Sequence, residues 1–252
     1  MKQLFLVHGI GRSGTTAMGK TLNLVPEIAC VYENGQRVWD YCTDKLDEHR
    51  IFFPEKIPEI LEIIAKEQNP DKDMNNVQAI GIKIPFPDNA LSLFIHCPNI
   101  RFICLTRHPL DLFLSQHNCE VTDFNKGWPS HIYSFDKGRH RANILNNYWA
   151  MVKNLSNKQI IKFESFFTDP RSMKSIFDFI GVNLHIRCCK DLIDQSMSLR
   201  QSSMGGRPEG DINPFLGCTE SKRREAYKYI IPFYNDLIES KCWDTFVDMK
   251  YI

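Results

Sequence analysis

The chain has almost no net charge, no long apolar run and no close cysteine pairing of the metal-binding kind, and each lack removes a class of protein. Lysine and arginine number 31 against 30 aspartates and glutamates, a formal net charge of +1. A polyanion is therefore not the expected main partner, and no basic run marks a nucleic-acid surface. The apolar stretch before His8 is too short for a membrane span or a signal peptide and reads as a core strand, so no transmembrane segment is expected. Cysteines stand at 30, 42, 97, 104, 119, 188, 189, 218 and 242. None of them forms C-x-x-C, so a metal site is not expected. Their odd number and apolar neighbours, such as Ile103-Cys104-Leu105, predict reduced core thiols in a cytoplasmic protein. Internal repeats and low-complexity linkers are missing as well. What remains, 252 residues with 43% apolar content, is enough to bury the core of one α/β domain.

Five apolar runs carry the fold: Leu4–Val7, Ile28–Tyr32, Ala79–Ile84, Arg101–Thr106 and Gln159–Phe163, with helical patterns between them. That alternation predicts a parallel sheet covered on both faces. Ligands of such sheets bind beyond the carboxyl ends of the strands, which makes Arg12, Glu33, Lys83, Arg107 and Glu164 site candidates. The segment 36–76 contains an amphipathic run, Pro58–Lys66, and is expected to form helices that wall the acceptor side.

The first strand runs into Gly9-Ile10-Gly11-Arg12-Ser13-Gly14-Thr15-Thr16. Glycines at 9, 11 and 14 let the backbone take positive φ and bring amide groups close to a ligand. A helix from Gly14 to Leu24 would add a positive N-terminus, so the stretch reads as an anion cradle ringed by Arg12, Ser13, Thr15 and Thr16. Two patterns overlap. One is a P-loop with Thr15 where the lysine belongs; the other is the dinucleotide fingerprint G-x-G-x-x-G, with Glu33 about 20 residues on. A second constellation follows strand four: Arg107, then His108-Pro109, with Pro109 suited to open a helix over Leu110–His117 that carries Ser115. A guanidinium and a hydroxyl so placed can share one phosphate.

Together these residues resemble the sulfotransferases that use 3′-phosphoadenosine-5′-phosphosulfate (PAPS). Arg12-Ser13-Gly14-Thr15-Thr16 is similar to the family's 5′-phosphosulfate loop, and Arg107 through Ser115 to its 3′-phosphate segment. Lys162–Pro170 continues the likeness, and Ser202-Ser203-Met204-Gly205-Gly206-Arg207-Pro208 is similar to the late loop that covers the cofactor. His108 stands where the family usually has aspartate.

The resemblance implies a three-layer, P-loop-like α/β fold with a central parallel sheet of about five strands, one domain over 1–252. It implies PAPS as cofactor, bound by Arg12, Ser13, Gly14, Thr15, Thr16, Arg107, Ser115, Ser203 and Arg207. Glu33 and Lys83 resemble the catalytic glutamate and lysine of tyrosylprotein sulfotransferases, which implies Glu33 as base and Lys83 with Arg12 as cations. His8, His108 and His117 are rival bases. The sequence departs from Golgi members in lacking their N-terminal membrane anchor, so a secretory-pathway acceptor is not expected. The implied partner is a small-molecule, carbohydrate or lipid acceptor. Tyr32, Trp39, Tyr41, Phe52, Phe53 and Trp128 are possible lining, though aromatics are more often core. Two rival readings are an NAD(P)-dependent oxidoreductase with Glu33 on the ribose and a nucleotide-binding module without catalysis.

Overall fold

The structure is a computed structural model that describes residues 2–11, 13–32, 34–46, 49–86, 91–108, 111–112, 138–203 and 242–249. Strands β1 (Gln3–Ile10), β2 (Ile28–Tyr32), β3 (Thr43–Leu46), β4 (His49–Phe52), β5 (Ala79–Phe86), β6 (Arg101–Thr106) and β7 (Lys158–Lys162) alternate with helices. These are α1 (Thr15–Leu22), α2 (Gly35–Tyr41), α3 (Ile57–Gln68), α4 (Leu91–Ile95), α5 (Gly138–Asn154), α6 (Phe163–Thr168), α7 (Pro170–Phe179), α8 (Ile186–Ser203) and α9 (Cys242–Asp248). All five apolar runs are strands of one sheet, ordered β2-β5-β1-β6-β7 and paired in parallel throughout.

Side chains on a strand alternate between faces, and the core divides accordingly. Leu4, Leu6, Ile80, Ile82, Ile84 and Cys104 pack on one side with Ile60, Leu61 and Ile64 of α3 and Tyr148 and Val152 of α5. Phe5, Val7, Cys30, Ala79, Ile103, Leu105 and Ile161 pack on the other with Met18 and Leu22 of α1 and apolar residues of α6, α7 and α8. Helices on both faces of a parallel sheet make the three layers expected. Among the described residues, no helix is long and apolar enough to cross a membrane.

Three boundaries differ from the sequence reading. β1 and β5 run on to Ile10 and Phe86, so Lys83 lies inside β5, level with Val7 of β1 and with Tyr32, where β2 stops. β7 ends at Lys162, and Phe163 and Glu164 open α6. Aromatic residues suit strands and helices alike, so the pattern did not fix that boundary. The segment 36–76 holds more than helices: β3 and β4 form an antiparallel hairpin between α2 and α3. Its strands are four residues each, with Ile51 and Phe52 exposed, too short and too mixed to give a clear period of two.

The order of the sheet also separates the two glycine-loop patterns. In the dinucleotide fold the strand that follows the first helix lies beside β1, which lets its terminal carboxylate reach the ribose. Here β5 is interposed, so at about 4.8 Å per strand β2 stands about 10 Å from β1. The carboxyl end of β2 at Tyr32 is therefore not beside β1, where the dinucleotide pattern needs it.

Candidate active site

By two-residue alternation, Val7 and Gly9 of β1, Lys83 of β5, Leu105 of β6 and Ile161 of β7 share the α1 face; Phe163 at the start of α6 packs in the same core, and Arg107 lies over its ring. The carboxyl ends of these strands therefore converge on one side of the sheet. The helix that closes this side, α1, starts at Thr15 with Gly14 as its N-cap.

The loop after β1 turns tightly, with Ser13 N–H donating to Ile10 O at 2.9 Å. It folds back over Gly9, where a Cβ would collide with Ser13 Oγ and would also meet Leu105 O at 2.9 Å and Thr15 Cγ2 at 3.0 Å. Only a residue without a side chain admits this approach. Gly14 has φ 100°, in the left-handed region, and a Cβ there would collide with the edge of the Phe163 ring. Ser13 is 2% exposed, and its Oγ is buried with no hydrogen-bond partner. A buried hydroxyl without a partner costs about 1–3 kcal/mol, and a phosphate oxygen brought into the loop removes that cost. Thr15 is buried and Thr16 exposed.

Lys83 is 3% exposed, which rules out a surface lysine lying along the protein. Its Cβ is 3.7 Å from the point where a Cβ on Gly19 would stand, and Cys30 Sγ is 3.3 Å from the same point. Helix α1 thus comes down directly on Lys83, Cys30 and Tyr32. Burial pushes the Cys30 thiol up to about 12, while the nearby ammonium groups of Lys83 and Lys72 pull the other way. Burial likewise raises the Tyr32 phenol well above its usual range.

Arg107, 6% exposed, follows β6 with its guanidinium carbon 5.0 Å from the centre of the Phe163 ring. The next residue, His108, donates its backbone N–H to Glu164 Oε1 at 3.0 Å. Glu164 thus fixes the segment after β6 rather than standing free as a base. Leu112 N–H donates to His108 O at 2.9 Å, and Asp111 and Leu112 are helical; the rest of the helix expected over Leu110–His117, Ser115 and His117 included, lies outside the described residues.

His8 sits on the other face of the sheet and is fully buried. Its Nδ1 is 3.0 Å from Ile84 O and its ring packs against Phe86 and Tyr148. Burial lowers its pKa from 6.5 to about 4. The ring is thus enclosed on the face away from Lys83.

Of the remaining sequence candidates, Arg12, Glu33, Arg207 and Trp128 lie outside the described residues, and Ser203 is the last residue of α8. Of the described members, Ser13, Gly14, Thr15, Lys83 and Arg107 gather on the α1 face, and Thr16 is exposed in the first turn of α1. The sequence reading assigned no role to Phe163, although Gly14, Arg107 and Phe163 meet at its ring. A phenylalanine opening a helix straight after a strand was the signal available.

The family model for the sulfotransferase domain matches residues 2–205. No curated protein matches the chain. Similar solved structures include a mouse sulfotransferase complexed with PAP, 14% identical over 98% of this chain and 89% of that one, TM-score 0.48. Another is a sulfotransferase from Alicyclobacillus acidocaldarius, 15% identical over 89% and 99%, TM-score 0.49. Retinol dehydratase in complex with androsterone and inactive cofactor PAP is 16% identical over 93% and 80%, TM-score 0.46.

Proposed function

The chain belongs to the sulfotransferase domain family, and from that premise we propose that it transfers a sulfuryl group from PAPS to a hydroxyl or amine of a small-molecule, carbohydrate or lipid acceptor. The observation that carries the donor assignment is the buried Ser13 Oγ without a partner, under a loop whose glycines leave no room for side chains and on the same face as buried Arg107. Such a loop offers donors to an anion, and a guanidinium offers a fork to a second one.

In this reading Arg12, Ser13, Gly14, Thr15 and Thr16 hold the 5′-phosphosulfate. Arg107 and Ser115 hold the 3′-phosphate, and Ser203 and Arg207 close over the nucleotide. The bound donor supplies the sulfuryl group: its bond from sulfur to the bridging phosphate oxygen breaks as the bond from sulfur to the acceptor forms. Glu33 takes the acceptor's proton on its carboxylate. Lys83 and Arg12 neutralise the charge that grows on the bridging oxygen, and burial of Lys83 makes that charge count for more than it would in water. Catalysis comes chiefly from alignment and electrostatics. The described free thiols, Cys30, Cys42, Cys97, Cys104, Cys188 and Cys189, fit a reducing, cytoplasmic setting.

The test is transfer of labelled sulfate from PAPS to pooled acceptors, with Glu33→Gln as control. Label on an acceptor with the wild type and a loss of about 10²-fold or more with Glu33→Gln supports the assignment. Binding of the nucleotide without transfer to any acceptor class supports a non-catalytic nucleotide-binding module instead.

A further inference from the structure

Three segments far apart in sequence meet at the corner where β7 turns into α6. The Phe163 side chain, fully buried, occupies the space that a Cβ on Gly14 would need, so it packs directly against the start of α1. The Arg107 guanidinium lies 5.0 Å from the same ring, a cation–π distance. The adjoining carboxylate of Glu164 accepts the His108 N–H at 3.0 Å. The ring is held from behind by Phe167, with ring centroids 5.0 Å apart in an edge arrangement. One rigid corner therefore touches the glycine loop on one side and the Arg107–His108 segment on the other.

We propose that Phe163 and Glu164 are positioning residues that set the separation between the two phosphate-binding halves, so that a nucleotide phosphorylated at both ends binds as one unit. The proposal rests on the donor reading given above. Neither residue needs to touch the nucleotide for this role. When two half-sites are held at the spacing of a two-headed ligand, the second contact forms without a further entropic cost, and the affinity exceeds that of either half alone. Loosening the brace leaves each half able to bind its own phosphate but removes the advantage of binding both.

Calorimetry with adenosine 3′,5′-bisphosphate, adenosine 5′-monophosphate and adenosine 3′-monophosphate reads this difference. Phe163→Leu keeps an apolar core residue but removes the ring face; Glu164→Ala removes the acceptor for His108 N–H, and Glu164→Gln retains one. We expect Phe163→Leu and Glu164→Ala to weaken the bisphosphate about ten-fold. Either monophosphate should change by less than about two-fold, and Glu164→Gln should restore the bisphosphate affinity. Because Glu164 is only half-buried, its two variants keep the test decisive if Phe163→Leu does not fold.

Equal losses for all three nucleotides would mean that the corner is merely structural and would overturn the proposal. So would a bisphosphate preference that survives in both variants. A wild type that shows no preference for the bisphosphate would overturn the donor reading itself, and the brace with it.

Discussion

Gly14→Ala tests the junction of loop and helix with a single methyl group. Gly14 has φ 100° and ψ 12°, and an L-residue forced into the left-handed region costs about 1–2 kcal/mol. The new Cβ also overlaps the ring of Phe163, which is fully buried and cannot swing out to solvent. Overpacking of this kind typically costs about 1–3 kcal/mol. The two effects together predict a destabilisation of about 2–5 kcal/mol, a large share of the roughly 5–15 kcal/mol of an ordinary domain. The strain is relieved only by moving the loop or the ring, and either movement disturbs the anion cradle. Urea unfolding should therefore show a lower midpoint with unchanged slope, and calorimetry should show weaker binding of adenosine 3′,5′-bisphosphate. A variant within about 0.5 kcal/mol of wild type, with unaltered nucleotide affinity, would refute the packing argument.

Two further predictions concern Lys83 and His8. Lys83→Met keeps the length of the buried side chain and removes its charge. If the ammonium serves the leaving oxygen, kcat for sulfuryl transfer should fall by about 10²–10³-fold, whereas a structural role alone would lower stability and leave kcat near wild type. His8 is neutral in the fold, its pKa lowered from 6.5 to about 4 by burial, so the unfolded chain binds the extra proton between these values. Stability from this group is full above pH 6.5 and is lost as pH falls toward 4, by about 3 kcal/mol at 1.36 kcal/mol per pH unit. His8→Gln should flatten that slope in urea titrations, and an unchanged slope would assign it to other groups.

The strands were legible because their alternation is local. Leu4 and Leu6 against Phe5 and Val7 already separate two apolar faces, and the structure gives each pair its own core. The loop was legible for a similar reason, since Gly9, Gly14 and Ser13 lie within a few residues of one another. The order of the strands was not, because nothing local to β2 records that β5 comes between it and β1. That placement decided between two readings that the glycine spacing left open. The hairpin Thr43–Phe52 escaped notice because Ile51 and Phe52 face outward, so burial never imposed a pattern on it. Phe163 was read as the end of a strand, and its contacts with Gly14 and Arg107 join segments about 150 and about 55 residues away. Contacts of that range depend on topology, which a single sequence does not display.

The central claim is that two anion sites on the α1 face together hold one bisphosphorylated nucleotide, and Arg107 is the described residue on which the second site turns. Titration of adenosine 3′,5′-bisphosphate into the wild-type protein and into Arg107→Ala tests this most directly. The account predicts saturable one-to-one binding by the wild type and a loss of about 10²-fold in the variant, in line with removing a charge-assisted pair. Equal affinity in the two proteins, or no binding by the wild type, would contradict it.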